Sequence, residues 1–85
     1  MRYYEKDYAL RSKVYDAIRD GMQITFTTEN LADGDDFLIL DEGEECVVTF
    51  HTNSVPYWVD FSNDEPMLLE DCPDSFYESI LKNAK

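Results

Sequence analysis

Two thiols and one imidazole, Cys46, Cys72 and His51, are the residues of this 85-residue chain best suited to covalent or metal chemistry. A cysteine nucleophile needs His51 beside it and an electropositive setting, and the surrounding acids oppose thiolate formation. Structural zinc takes about four ligands, commonly from closely spaced pairs. The chain offers three soft or imidazole ligands and no Cys-x-x-Cys pair. Asp33, Asp35 and Glu44 fall at positions one, three and twelve of an EF-hand register. Position five is then Phe37, and position six, where glycine makes the sharp turn, is Leu38. An apolar run cannot wrap a cation. Gly21, Gly34 and Gly43 stand apart, so there is no glycine-rich phosphate loop. Carboxylates are too numerous for any pair to stand out as an acid and base, and a chain this short has little room for a substrate cleft. The residues therefore predict a non-enzymatic protein with no metal and no cofactor, whose two cysteines are buried free thiols.

Charge is the feature that remains. From Asp20 to Leu81 the chain has sixteen acidic residues and no Lys or Arg. Residues 1–19 carry a net +2, residues 20–81 carry −16 and residues 82–85 carry +2, which together give the net −12. Unbalanced charge repels itself and weakens the compact state, so excluding every cation from 62 consecutive residues needs a compensating use. Negative charge disfavours direct contact with nucleic acid, whose phosphates require Lys or Arg, and with anionic membrane surfaces. It fits a basic protein partner. The acids proposed to make that contact are Asp33, Asp35, Asp36, Asp41, Glu42, Glu44, Glu45, Asp64, Glu65, Glu70 and Asp71. Tyr57, Trp58 and Phe37 are the aromatic residues that could anchor it. The competing reading is a solvated face kept for solubility, which explains the sign of the charge but not the absence of Lys, which also solubilises.

Apolar content of 44% with 14% aromatic residues is a globular composition, and the length suits one domain spanning residues 1–85. Leu10, Val14, Ala17 and Ile18 repeat at helical spacing and predict a first helix over residues 5–20, with Gly21 as its cap. Tyr4, Tyr8 and Tyr15 lie on its flank, and Arg2, Lys6 and Lys13 on its outer face. Alternation predicts strands over residues 22–28, 45–51 and 55–61. The run Phe37-Leu38-Ile39-Leu40 predicts a central strand, joined to the next by a hairpin turn over residues 41–44. Residues 62–73 read as a loop. A second helix follows over residues 75–84, opened by a Ser75–Glu78 capping box and buried through Phe76, Tyr77, Ile80, Leu81 and Ala84. The predicted fold is α+β: a four-stranded antiparallel meander with the N- and C-terminal helices on one face, in the order α-β-β-β-β-α. In that layout the acids fall on both rims of the sheet.

The polar start, Met-Arg-Tyr-Tyr-Glu-Lys-Asp, has no apolar stretch of the kind a signal peptide needs, and the chain reads as cytosolic. In composition it resembles the small acidic inhibitors of phages and mobile elements, including DNA-mimicking antirestriction and anti-CRISPR proteins, and bacterial immunity proteins. That resemblance implies a protein that occupies the nucleic-acid-binding surface of a basic partner and inhibits it. The alternatives are an immunity or antitoxin protein that caps a basic nuclease toxin, and a housekeeping or phage structural interaction module. A homodimer is a further arrangement the charges permit, with the basic first helix against the acidic rim of a second copy.

Overall fold

The computed structural model describes residues 7–84. Helix α1 (Tyr8–Ala17) is followed by strands β1 (Gln23–Phe26), β2 (Cys46–His51), β3 (Trp58–Phe61) and β4 (Asp64–Leu68). A 3₁₀ turn (Leu69–Asp71) then leads into helix α2 (Asp74–Asn83). The sheet is an antiparallel meander in the order β1-β2-β3-β4. The expected class and element order therefore hold.

Alternation decides which face of the sheet is covered. Ile24, Val48 and Phe61 sit opposite one another in register, as do Phe50 and Val59, and all five are buried. Val14 and Ile18 from the first helical segment and Phe76, Tyr77 and Ile80 from α2 complete the same core. Both helices thus cover one face. Phe76 is the central aromatic, with ring centroids 5.9 Å from Phe26, 5.7 Å from Phe61 and 5.4 Å from Phe37. Full burial of one such side chain stabilises the fold by about 1.5–3 kcal/mol. On the open face His51 stacks on Trp58 at 4.0 Å and meets Asp60 at 3.1 Å.

Two strand assignments change. Phe37–Leu40 is not a strand. The Asp35 carboxylate accepts hydrogen bonds from the backbone N–H of Phe37 and of Leu38, which removes both from any ladder. Leu38 is buried, while Ile39 is 75% exposed, so the run acts as a plug with one outward residue. The turn at residues 41–44 consequently precedes β2 and is not a hairpin; Gly43 supplies its positive φ of 83°. The fourth strand is instead Asp64–Leu68, within the segment expected to be a loop. Its acids and Pro66 suit an edge strand, where a missing N–H costs no central ladder bond and charge deters further pairing.

The helix ends shift as well. Asp7 caps α1 by accepting from the Leu10 N–H at 3.0 Å, and the expected first-helix residues 5 and 6 lie outside the described residues, as do Arg2 and Tyr4. The helix stops before Ile18, whose backbone is extended. Gly21, at φ 81°, serves the turn into β1 and is not the helix cap. The Ser75–Glu78 capping box does not form. Pro73 is the N-cap of α2, and the Ser75 hydroxyl turns to Asp35.

A candidate acidic interface

Residues 27–45 connect β1 to β2 with no helix or strand of their own. A connection this long in a small domain is uncommon, and is usually functional or disordered. Here it is tied along α2. Asn83 Nδ2 donates to the Asn30 carbonyl at 2.9 Å and Lys82 Nζ to the Leu31 carbonyl at 2.8 Å. The Ser79 hydroxyl accepts from the Ala32 N–H at 3.0 Å and donates to the Asp35 carboxylate. Asn30 also covers the free edge of β1, accepting from the Thr27 N–H and donating to the Thr25 carbonyl. Below these bonds Phe37, Leu38, Leu31 and Leu40 pack on the core.

The same sheet end receives the β3–β4 turn. β1 ends at Phe26, β2 begins at Cys46, β3 ends at Phe61 and β4 begins at Asp64. The Ser62 N–H bonds the Val47 carbonyl and Cys46 Sγ reaches Asn63 Oδ1 at 3.2 Å, so the β3–β4 turn is tied to the start of β2, where the long connection ends. Residues 27–45 and 62–65 together hold ten acidic residues and no Lys or Arg. Asp33, Asp36, Asp41, Glu42, Glu44, Glu45, Asp64 and Glu65 are exposed there. Glu44 additionally accepts from the Asp41 N–H at 2.8 Å, holding its own turn. Among the described residues no three His, Cys, Asp or Glu side chains converge as metal ligands do.

The expected acids therefore divide into three sets. Eight gather at this end, where the expected layout had put the residue 41–44 turn on the opposite rim. The reason is that Phe37–Leu40 does not span the sheet, so the chain leaves and returns at one end. Asp35 is turned inward and is a structural anchor. Glu70 and Asp71 lie in the 3₁₀ turn after β4, at the other end of the strands.

Of the expected aromatic anchors, Phe37 lies at this end, while Trp58 and Tyr57 are placed elsewhere. Phe37 is packed between Phe61 and Phe76, Trp58 lies on the open sheet face, and Tyr57 meets Tyr15 at the far end. The apolar side chain offered at the acidic end is Ile39. Beside it Phe37, Leu38, Phe61 and Met67 line a crevice of about 70 Å³ with Asp64 at its rim. No sequence signal separates Ile39 from its buried neighbours, because four consecutive apolar residues have no readable phase.

Of the expected outer face of the first helix, Lys13 is exposed, and Arg2 and Lys6 lie outside the described residues. Arg11 is buried, with Nε 2.9 Å from Asp74 Oδ1 and donors to the carbonyls of Glu70 and Cys72 at 2.9 and 2.7 Å. Its guanidinium lies 4.2 Å from the Tyr77 ring centroid. Burial, followed by a hydrogen bond with Tyr15, pushes the Tyr77 hydroxyl far above the ordinary tyrosine range. Arg19 turns to the carbonyls of Asp16 and Ile18. A homodimer built on the expected first helix thus has Lys13 and Arg19 as its exposed cations among the described residues. Cys46 and Cys72 are both buried and unbridged, and burial pushes the Cys72 thiol up to about 12, away from nucleophilic use. No helix among the described residues is long and apolar enough to cross a membrane. Comparison with protein-family models, with curated proteins and with solved structures found no match.

Proposed function

We propose that this protein is a non-enzymatic inhibitor that seats its acidic end on the basic, nucleic-acid-binding surface of a partner protein. The observation that carries this reading is the convergence of residues 27–45 and 62–65, with ten acids and no Lys or Arg, on one end of the sheet. Carboxylates tied to a packed scaffold can stand where a partner expects phosphates. Tethering along α2 lowers the ordering cost of binding, since the loop is already held before the partner arrives. Long-range attraction speeds encounter, and Ile39 with the neighbouring crevice supplies a small apolar anchor of the kind that fixes a complex after capture.

The test is competition. The protein is immobilised and used to capture partners from a host lysate at low salt, and the bound material is challenged with a duplex DNA oligonucleotide and, separately, with raised salt. Release by both agents, and loss of capture by the variant D36N/D41N/E42Q/E45Q, is the expected result. If that variant captures and inhibits the same partner as well as the native chain does, the acidic end is not the interface.

A further inference from the structure

At the opposite end of the strands, α1 and the β2–β3 connection form a groove that the acidic interface leaves unused. Tyr15, Val55, Pro56, Tyr57 and Glu70 line a hollow of about 310 Å³. It adjoins a second of about 370 Å³ that shares Tyr15 and Glu70 and extends to Tyr8 and Arg11. Among the described residues five large hydrophobic side chains are exposed, and three of them line this groove: Tyr8 at 76%, Val55 at 88% and Tyr15 at 39%. A monomeric surface rarely gathers its apolar exposure this way without a use.

Charge decides what the groove fits. Glu70 is exposed, and its carboxylate makes no hydrogen bond or ion pair with the described residues. Arg11, the cation of the second hollow, is buried, paired with Asp74 and bonded to two carbonyls, so its charge is already answered. The Tyr15 and Tyr57 rings stand edge to face with centroids 5.5 Å apart, and Val55 and Pro56 line the same hollow. Two aromatic rings, two aliphatic side chains and one carboxylate lining a single hollow match a planar guanidinium on a three-carbon stem.

We propose that this groove takes an arginine side chain from an extended segment of a partner protein, with the stem along Val55 and Pro56, the guanidinium against Tyr15 and Tyr57, and the Glu70 carboxylate as its ion partner. The inference does not depend on the acidic end, which lies across the sheet.

Residue-resolved NMR on the full chain, titrated with the capped peptide Ac-Ala-Arg-Ala-NH2, tests it. Saturable shifts at Tyr15, Val55, Tyr57 and Glu70 are expected, weakened at least fivefold by Glu70→Gln and by replacing the peptide's arginine with citrulline. Glu70→Gln leaves intact the backbone carbonyl that Arg11 uses, so its fold is monitored and retained. The D36N/D41N/E42Q/E45Q variant should leave the groove titration unchanged, which separates this site from the acidic end. Equal shifts with citrulline, no effect of Glu70→Gln, shifts confined to residues 33–45, or the same groove shifts on raising protein concentration without peptide would each overturn the proposal; the last would show a second copy as the occupant.

Discussion

Arg11 brings the one buried cation of the described residues into a core that otherwise holds apolar side chains and Ser79. Its position follows from charge and reach together. The α2 N-terminus needs Asp74 satisfied, the 3₁₀ turn leaves the Glu70 and Cys72 carbonyls pointing inward, and a guanidinium fork can answer all three at once. Asp74 is also bonded at 2.8 Å by the Asp7 N–H, so a single carboxylate joins α1 to α2. Removing one partner of such a buried pair strands the others. Arg11→Ala should therefore lower unfolding stability by about 3 kcal/mol in urea titrations, and Arg11→Lys should recover only part of that, because an ammonium cannot reproduce the fork. The thiol of Cys72 makes a second prediction. The unfolded thiol ionises near its ordinary value of 9.0, while the folded one holds its proton up to about 12. The folded state therefore binds the extra proton in that window, and stability present below pH 9.0 is lost as pH rises towards about 12. A full unit of this difference is about 1.4 kcal/mol. Unfolding at pH 10.5 should need less urea than at pH 8, with part of the difference absent in Cys72→Ala. The raised Tyr77 hydroxyl acts in the same direction. A stability that stays flat from pH 8 to 10.5 would contradict both assignments.

At the scale of elements, the long connection before β2 is held in place because one of its acids turns inward. Asp35 links the loop to itself, through Phe37 and Leu38, and to α2, through Ser75 and Ser79. Nothing in the sequence marks Asp35 apart from Asp33 and Asp36; only the arrival of α2 beside the loop distinguishes them. Ser79 was unreadable for the same reason, since a serine on a helix flank is ordinarily solvated. Asp35→Ala should free the Phe37 and Leu38 amides to exchange with solvent and cost about 2 kcal/mol, the range expected for stranding buried donors. Asp36→Ala, at an exposed neighbouring acid, should do neither. Unchanged exchange in Asp35→Ala would show that packing of Phe37 and Leu38 alone holds the loop. The α1 and α2 helices, by contrast, were legible within three residues at each described end, because apolar spacing of three and four has few alternative readings.

At the scale of the molecule, concentrating like charge on one end sets a repulsive term against folding. Screening weakens that term within about 10 Å at 0.1 M salt. Thermal unfolding in 0.5 M sodium chloride should therefore occur at a higher temperature than in 0.02 M. A gain on the order of 1 kcal/mol corresponds to about 4–8 °C for a domain of this size. The charge-reduced variant D36N/D41N/E42Q/E45Q should show a smaller salt response and a higher melting temperature in low salt. A native chain indifferent to salt would mean that the carboxylates are too far apart to sense one another.

Composition and periodicity alone settled the class of fold, the sheet-covering faces of three strands, the two helices and the sign of the chain's own charge. These rest on local patterns: a period of two or of nearly four, and a count of charges. Tertiary structure decided which four segments became strands, that Asp35 and Arg11 face inward, that eight acids share one end while Glu70 and Asp71 sit at the other, and that a tyrosine groove opens beside Glu70. Those are pairings between residues far apart in the chain. A four-residue apolar run and an acidic, proline-containing edge each satisfy more than one local rule, and only competition for the same sheet and the same core selects between them.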